Sequence, residues 1–337
     1  MLQNSNVLII QTAFLGDAVL VTSLLEKIRH ESPQTKVQLL VRAGLEPVFE
    51  AYPHDNLTKV WGYDKSKKLK SWFSLRKQLS KEKFDQVFVV QRFFGMGLLS
   101  VSMGAKKVTG FQENPVSFLF NESVKHRFGH GVHEVERNID LVEKWLGKQF
   151  YAPFLSSTPS LPTPLKAKQY LCISPGSVWE TKRLPLQTWI DFILQLPKDQ
   201  AIVLMGAPNE MELSATIARA CPQHNIHNLT GKLGLLEAIG VYQQAALAFV
   251  NDSGPLHICS AVNTPTVAVF CSTTPEFGFG PLATWNRVIE SNESLTCKPC
   301  GSHGKKKCPL GHYACGHGIQ VNQLQEAYTD FLSARGE

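Results

Sequence analysis

The sequence predicts an α/β chain with two Rossmann-like domains that face a central cleft. Its 337 residues are too many for one ordinary core and sufficient for two. Short apolar runs alternate with amphipathic segments, which favours parallel sheets covered by helices on both faces. A proline-rich segment divides this alternation into two halves. Hydrophobic residues make up 43 % of the chain and charged residues 18 %, a composition typical of folded proteins.

The first half begins with a buried strand over residues 7–10, followed by a turn and a helix. The apolar residues that recur at helical spacing along that helix are Val21, Leu24, Leu25 and Ile28. Further strands are predicted over residues 37–41 and 86–90. Because ligands bind at the carboxyl ends of parallel strands, we expect functional residues in the loops that follow them.

The dividing segment, residues 152–168, has no periodic apolar pattern, as expected of a linker. Its prolines are Pro153, Pro159, Pro162 and Pro164. Strands and helices then alternate over residues 170–174, 186–196, 201–205, 210–220, 235–245, 247–250 and 265–270. We predict one domain over residues 1–155, a second over residues 168–318, and a final helix in residues 319–337 that packs back toward the first domain.

The net charge of +6 comes from 34 basic and 28 acidic residues. Such a charge favours acidic partners: phosphates, an anionic membrane surface or nucleic acid. The first residues lack the features of a secretory signal, and no run approaches the ~20 apolar residues that span a bilayer. We therefore expect a cytoplasmic protein. The basic run Lys65, Lys67, Lys68 and Lys70 is interpreted as a solvated loop, with contact to an anion as the alternative.

The first candidate motif, residues 11–17, joins the first strand to the first helix. Gly16 permits close approach of the backbone to a ligand. Asp17 is either a helix cap, whose carboxylate accepts backbone N–H groups, or a general base at the mouth of the cleft. Neither half contains the Gly-x-Gly-x-x-Gly fingerprint of dinucleotide-binding domains, which argues against a dehydrogenase.

A second motif follows the first strand of the second half. It combines the turn Pro175-Gly176-Ser177 with the adjacent cations Lys182 and Arg183. Lysine presents a point charge and arginine a planar fork, and together they suit a diphosphate. An exposed basic loop is the alternative, but the position after a strand favours binding.

Two further motifs again join a strand to a helix. Ser253 and Gly254 precede a helix, where backbone N–H groups and the helix dipole favour an anion. Asp252 either accepts hydrogen bonds from sugar hydroxyls or caps the helix, and His257 is either a ligand contact or an ordinary half-buried histidine. Glu210 either binds ribose hydroxyls or complements a helix dipole.

Eight cysteines are present. Four lie in apolar settings and are expected to be buried free thiols, namely Cys172, Cys221, Cys259 and Cys271. The other four are Cys297, Cys300, Cys308 and Cys315, with His303, His312 and His317 among or beside them. Their spacing predicts either a structural zinc site or free thiols, because stable disulfides are not expected in a reducing cytosol. We expect no catalytic metal and no cofactor.

Taken together, the motifs resemble the ADP-heptose:lipopolysaccharide heptosyltransferases of glycosyltransferase family 9 over almost the whole chain. The segments that carry the resemblance are Leu15-Gly16-Asp17, Pro175-Gly176-Ser177, Lys182-Arg183, Gly206 with Glu210, Asp252-Ser253-Gly254 with His257, Cys297-Lys298-Pro299-Cys300 and Cys308-Pro309-Leu310-Gly311-His312. The resemblance implies a GT-B fold with the acceptor on the first domain and the nucleotide sugar on the second. It also implies inversion at the anomeric carbon without a catalytic metal.

The resemblance also implies a role for individual residues. Asp17 corresponds to the catalytic base, Lys182 to a ligand of the donor phosphates, and Glu210 to a ligand of the ribose. Glu212 lies close enough to compete with Glu210 for that role. The full set of implied donor-binding residues is Gly176, Ser177, Lys182, Arg183, Glu210, Asp252, Ser253, Gly254 and His257. The expected acceptor-binding residues are Gly16, Arg92 and Arg137. Each arginine is equally compatible with an ordinary surface position.

The implied reaction is transfer of heptose from ADP-L-glycero-D-manno-heptose to the lipopolysaccharide inner core. The expected acceptor is a phosphorylated lipid A-core, met at the cytoplasmic face of the inner membrane through peripheral contact. No nucleic-acid partner is expected. Two alternatives stay open: a GT-B glycosyltransferase or epimerase that uses another nucleotide sugar, and a non-catalytic, zinc-stabilised anion-binding protein.

Overall fold

The computed structural model describes residues 2–157, 160–162 and 164–336. The chain forms two compact units, Met1–Leu155 and Ser156–Glu337. The division between them falls inside the segment that lacks a periodic apolar pattern. Of the prolines in that segment, Pro159 lies outside the described residues.

The first unit contains a six-stranded parallel sheet. Its strands are β1 (Asn6–Gln11), β2 (Lys36–Arg42), β3 (Leu57–Tyr63), β4 (Gln86–Val89), β5 (Lys107–Phe111) and β6 (Glu122–Val124). Its helices are α1 (Leu15–Leu20), α2 (Thr22–Glu31), α3 (Lys68–Leu79), α4 (Phe94–Ser102), α5 (Glu134–Asp140) and α6 (Glu143–Leu146). The strand order β3-β2-β1-β4-β5-β6 is that of a Rossmann-like domain, and its switch point lies between β1 and β4.

Apolar residues of the central strands form the core of this sheet. Ile9 of β1 pairs with Leu39 of β2 and Phe88 of β4, and all three side chains are fully buried. A central parallel strand is covered on both faces, which favours a continuous apolar run over an alternating one. Burying each such side chain contributes about 1.5–3 kcal/mol to folding.

The second unit repeats this architecture. Its strands are β7 (Tyr170–Ser174), β8 (Ala201–Leu204), β9 (Ile226–Asn228), β10 (Leu247–Asn251), β11 (Thr266–Phe270) and β12 (Asn286–Glu290). Its helices are α7 (Leu186–Gln195), α8 (Met211–Ala220), α9 (Leu235–Gln244), α10 (Gly254–Ala261), α11 (Ala314–His317) and α12 (Val321–Arg335). The order β12-β11-β10-β7-β8-β9 again has the Rossmann pattern, with the switch point between β7 and β10. The predicted α/β class with two Rossmann-like domains is confirmed.

The C-terminal helix α12 contributes to the core of the second unit. Leu324, Tyr328 and Phe331 are buried with residues of α7 such as Trp189, and the Phe331 ring lies 5.1 Å from that of Trp285. The expectation that this helix packs back toward the first domain stays a prediction; within the second unit, its apolar face completes the core. The reason is that these apolar residues recur at helical spacing and match the apolar surface of α7 and β12.

The helices of both units are short. The helix α12 has 15 residues and α3 has 12. Among the described residues, no helix combines the length and the apolar character that crossing a membrane requires.

Candidate active site

Asp17 lies in α1, the helix that follows β1 at the switch point of the first sheet. It is the third residue of α1, and its Oδ2 accepts a hydrogen bond from the backbone N–H of Phe14 at 3.2 Å. The predicted capping contact is therefore present, but Asp17 is not the N-cap residue. Phe14 is the N-cap, and the Asp17 side chain accepts its backbone N–H from within the first turn of the helix. Gly16, expected before the helix, is a buried residue within it. The Asp17 residue is half-buried, which leaves part of its surface open to a hydroxyl group.

Lys65 and Arg42 provide positive charge near Asp17. Lys65 interacts electrostatically with Asp17 and with Arg42. The Arg42 guanidinium lies 5.8 Å from the centre of the Phe14 ring. Burial lowers the pKa of the Lys65 ammonium and Arg42 lowers it further, whereas Asp17 raises it. Lys65 is half-buried and belongs to the 3₁₀ turn Lys65–Lys67. The interpretation of this run as a solvated loop is therefore wrong for Lys65, and the alternative, contact with an anion, stays a prediction.

Buried polar side chains fix the loops around this switch point. Gln91 Oε1 accepts a hydrogen bond from the Thr12 N–H at 3.1 Å, and Gln91 Nε2 donates to Thr12 Oγ1 at 3.0 Å. Asn114 Nδ2 donates to the carbonyl groups of Gln91 and Phe93 at 3.2 and 3.3 Å. Arg92 lies between these anchored residues and is exposed. This position at the end of β4 suits contact with an anionic ligand.

Arg137 is placed differently from Arg92. It is 0 % exposed, and its Nη2 lies 2.6 Å from Glu134 Oε2, which also lies 3.5 Å from His126 Nε2. Burial raises the pKa of the Glu134 carboxyl, but His126 and Arg137 outweigh burial and hold the pKa below its ordinary value. A fully buried guanidinium cannot meet a bulky acceptor directly. The expectation that Arg137 binds the acceptor is therefore corrected to a structural role in α5.

In the second unit, Asn251 holds the loop that follows β7. Its Nδ2 donates to the carbonyl groups of Pro175 and Gly176 at 2.9 and 3.2 Å, and its Oδ1 accepts from the Leu184 N–H at 3.0 Å. One buried amide thereby fixes both the Gly-Ser turn and the segment that carries the two cations. No role was predicted for Asn251 from the sequence. The available signal was a polar residue at the end of an otherwise apolar strand.

Lys182 and Asp252 form an ion pair after β7 and β10. Lys182 Nζ lies 2.7 Å from Asp252 Oδ2, and the two side chains are only 13 % and 6 % exposed. Thr273 Oγ1 donates to the same carboxylate oxygen at 2.6 Å. A fixed and largely desolvated ammonium of this kind interacts with phosphate charge more strongly than a solvated one.

Arg183 has a contact that positions the loop. Its Nε donates to the Ser177 carbonyl at 2.8 Å, and Ser177 is buried. The guanidinium therefore stabilises the turn after β7. Arg183 is near Lys182 because the two residues are adjacent in the sequence. The predicted pair of cations thus divides into an ion-paired lysine and an arginine that holds the turn.

Two glycines make room for Glu210. A Cβ at Gly176 would collide with the Glu210 carboxylate, and one at Gly206 would lie 2.7 Å from its Oε2. The same oxygen accepts a hydrogen bond from the Ala207 N–H at 2.9 Å. Glu212 is instead exposed and pairs with an arginine of its own helix. The surroundings therefore favour Glu210 over Glu212 as a ligand residue.

Ser253 and Gly254 lie at the start of α10, as the motif predicted. Ser253 is the N-cap residue with an extended backbone, and Gly254 is the first residue of the helix. His257 is buried in the first turn that follows, with its ring 6.1 Å from that of Phe279. Because Asp252 precedes the cap, the ion pair and this helix start share one loop.

The cysteines divide into a buried set and a clustered set. Cys172, Cys221, Cys259 and Cys271 are buried free thiols, as predicted. Burial raises the pKa of Cys259 to about 12. In the clustered set, Cys297 Sγ lies 3.9 Å from His312 Nε2, and the Tyr313 N–H lowers the pKa of the Cys308 thiol. Within the part of the chain that the structure describes, no three His, Cys, Asp or Glu side chains are arranged to hold a metal ion.

Each unit therefore presents its own chemistry at the switch point of its sheet. The first offers a half-buried carboxylate beside cations, which suits proton removal from a hydroxyl of an anionic molecule. The second offers an ammonium and two carboxylates around a glycine turn, which suits a nucleoside diphosphate and polyhydroxylated groups attached to it.

Comparison with known proteins identifies similar chains. Residues 72–314 match the family model described as Glycosyltransferase family 9 (heptosyltransferase). Lipooligosaccharide heptosyltransferase 2 of Campylobacter jejuni is 26 % identical to this chain over 324 residues, which cover 93 % of this chain and 95 % of the relative.

Solved structures of similar fold are also known. A family 9 glycosyl transferase from Veillonella parvula matches with a TM-score of 0.83 and 20 % identity, over 99 % of each chain. E. coli heptosyltransferase WaaC with ADP-2-deoxy-2-fluoro heptose matches with a TM-score of 0.73 and 20 % identity, over 96 % of this chain and 99 % of WaaC. These likenesses confirm the predicted GT-B fold.

Proposed function

The chain belongs to glycosyltransferase family 9 (heptosyltransferase), and we propose that it transfers heptose from ADP-L-glycero-D-manno-heptose to the lipopolysaccharide inner core. The resemblance inferred from the sequence motifs is thereby confirmed, and the chain is a transferase. The Campylobacter jejuni relative is a heptosyltransferase, and WaaC has been solved with a fluorinated ADP-heptose. Both support a nucleotide-linked heptose as the donor.

The Lys182–Asp252 ion pair is the observation that carries the proposed donor site. Lys182 binds the diphosphate of ADP-heptose, and Asp252 fixes the ammonium and accepts hydrogen bonds from heptose hydroxyls. Glu210 binds the ribose hydroxyls beside the turn at Gly176. As ADP leaves, negative charge grows on its diphosphate. A fixed cation aimed at that charge accelerates such a step by about 10²–10³-fold.

Asp17 is the proposed general base. Its carboxylate takes the proton of the acceptor hydroxyl while the acceptor oxygen bonds to the anomeric carbon. The bond between that carbon and the ADP oxygen breaks, and ADP leaves with the bonding electron pair, which inverts the anomeric configuration. The hydrogen bond from the Phe14 N–H orients the Asp17 carboxylate.

We propose that the acceptor is a phosphorylated, lipid-linked core sugar. Arg42 is the last residue of β2, and Lys65 and Arg92 follow β3 and β4, so three cations lie at the same edge of the first sheet as Asp17. Phosphate groups on the acceptor would meet charge there, with arginine as the bidentate partner. Added salt should weaken this attraction.

A face of the first unit supports peripheral contact with the cytoplasmic surface of the inner membrane. This apolar–basic face consists of Leu69, Phe73, Phe93 and Phe94, each more than half exposed, with the exposed lysines Lys67 and Lys70. Trp72 Nε1 donates to the Gly95 carbonyl at 2.8 Å, which holds α3 against the start of α4. Exposed aromatic and aliphatic side chains beside lysines suit an interface with anionic lipids.

The proposed function is tested by incubating the purified protein with ADP-heptose and a phosphorylated core acceptor that lacks heptose. Mass spectrometry should show one heptose added per ADP released, and NMR should show an inverted anomeric centre. ADP-heptose alone should give neither acceptor-independent turnover nor new sugar isomers. New isomers would indicate an epimerase, and saturable binding without turnover would indicate a non-catalytic protein.

A further inference from the structure

A loop between the clustered cysteines packs against the segment that carries Lys182. Cys300 N–H donates to the Ser272 carbonyl at 2.7 Å. Further along, Lys305 N–H donates to Thr181 Oγ1 at 2.8 Å, and Thr181 N–H donates to the Lys305 carbonyl at 3.2 Å. Residues 300–305 are therefore bonded at both ends to the loops that form the proposed donor site.

Gly304 makes the closest approach within this segment. A Cβ at Gly304 would lie 3.1 Å from Lys182 Cγ and 3.1 Å from Thr181 Oγ1, and 3.3 Å from Ser272 Oγ. The Gly304 backbone is buried and thus packs directly on the aliphatic part of the lysine side chain. Since the adjacent atoms leave little room, the Lys182 side chain is restricted in the directions it can take.

A hydrogen-bonded chain connects the same segment to the ion pair. Ser272 Oγ donates to Thr181 Oγ1 at 3.0 Å, and the next residue, Thr273, donates to the Asp252 carboxylate at 2.6 Å. The loop that contains Ser272 and Thr273 therefore touches both the cysteine-flanked segment and the carboxylate partner of Lys182. Gly304 therefore packs against the aliphatic part of the Lys182 side chain, and Asp252 pairs with its ammonium.

We propose that residues 302–305 form a positioning segment for Lys182, with Gly304 as its contact point and Thr181 as its anchor. The segment itself touches no reacting atom. It fixes the ammonium where the donor diphosphate binds, and so it acts through Lys182 on donor affinity and on turnover. This proposal rests on the proposed function, because it needs Lys182 to bind the donor.

Gly304→Ala tests the contact, and Gly301→Ala is its matched control. Both glycines have positive φ, +76° and +78°, so alanine strains both backbones similarly. A Cβ at Gly301 meets nothing within 4 Å, whereas one at Gly304 presses on Lys182 and Thr181. We expect Gly304→Ala to lower kcat/KM for the donor by about ten- to a hundredfold, the scale for an ångström of misplacement. Gly301→Ala should stay within about twofold of the wild type, and the KM for the acceptor should not change in either variant.

Thr181 provides a second test that does not depend on glycine strain. Thr181→Val removes the hydroxyl that bonds Lys305 and Ser272, while Thr181→Ser keeps it. We expect the valine variant to raise the KM for the donor several-fold and the serine variant to restore it. Unfolding temperatures of all four variants report any general loss of structure. If the KM for the donor rose in every variant in step with the loss in unfolding temperature, the positioning role would be overturned.

The two proposals fail in different ways. Absence of acceptor-dependent ADP release from the wild type would overturn the proposed function. An active wild type with Gly304→Ala equal to Gly301→Ala, and Thr181→Val equal to Thr181→Ser, would overturn the positioning segment alone.

Discussion

Lys182 Nζ lies 2.7 Å from Asp252 Oδ2, although the two residues are far apart in the sequence. They meet because β7 and β10 are neighbours in the sheet, with Ser174 paired to Val250, so the loops after both strands reach the same edge. In the proposed donor site, an ammonium held in this way would be preorganised for a diphosphate, with little reorganisation needed as the charge of the leaving group develops.

Lys182→Ala should weaken binding of ADP by about ten- to a hundredfold, because a hydrogen bond between charged groups contributes about 1.5–3 kcal/mol. Isothermal titration calorimetry with ADP measures this. The control is Lys198→Ala, which removes an exposed lysine that donates to Gln223 Oε1 in the same unit. Equal ADP affinity in Lys182→Ala and the wild type would exclude Lys182 from the donor site.

Glu210→Gln and Glu212→Gln should have different effects on donor binding. Glu210 lies at the carboxyl end of the sheet between two glycines, whereas Glu212 is on the outer surface of α8. We expect Glu210→Gln to raise the KM for ADP-heptose by about tenfold, the scale of one hydrogen bond between a charged group and a ribose hydroxyl. Glu212→Gln should leave the KM unchanged. The reverse result would move the ribose role to Glu212.

Glu134→Gln should destabilise the first unit. The substitution leaves Arg137 buried without its counter-charge, which costs about 3–5 kcal/mol in buried pairs. The folded pKa of Glu134 is below its unfolded value, so the contribution of this carboxylate is present above the unfolded pKa and lost as the pH falls through the folded pKa. The stability difference from the wild type should therefore shrink in acid, as followed by urea unfolding at several pH values.

Glu143→Gln is the matched control for this substitution. Glu143 Oε1 lies 3.3 Å from Lys148 Nζ in a solvent-exposed pair. Such pairs contribute at most about 1 kcal/mol. If Glu143→Gln lost as much stability as Glu134→Gln, the importance of the buried group of His126, Glu134 and Arg137 would be contradicted.

Replacing Leu69 and Phe73 by serine should reduce binding to anionic phospholipid vesicles by at least about tenfold, because each apolar side chain that enters the interface contributes on the order of 1 kcal/mol or more. Cosedimentation with anionic and zwitterionic vesicles measures this. Leu194→Ser changes a half-exposed leucine of the second unit and serves as the control. Transfer to a short-chain, water-soluble acceptor should be unaffected. Vesicle binding equal to that of the wild type would exclude the apolar–basic face as the membrane contact.

The sequence predicted the central strands better than the edge strands. The strands β1, β7 and β10 are buried along almost their whole length, and their continuous apolar runs are visible without a structure. The strands β3, β9 and β12 are partly exposed and contain polar residues, so no such run marks them. Edge strands have one unpaired side and tolerate polar residues, which is why periodicity did not find them.

The candidate site was predictable where residue type and neighbouring turn coincide. Lys182 and Asp252 each follow a buried strand, and this position alone suggests a ligand contact. The interaction of Lys65 with Asp17 was not predicted, because it depends on the packing of a 3₁₀ turn that the basic run does not reveal. Arg137 was misassigned because the burial of an arginine depends on a partner, Glu134, one helical turn away on α5.

Asp17→Asn tests the central claim most directly. Asparagine can still accept the hydrogen bond from Phe14, but it cannot take the proton of the acceptor hydroxyl. We predict that the dissociation constant for ADP-heptose stays within about twofold of the wild type, while single-turnover transfer of heptose to the acceptor slows by ~10²-fold or more. Transfer at a rate close to that of the wild type would contradict catalysis by Asp17 and leave it as a helix-capping residue.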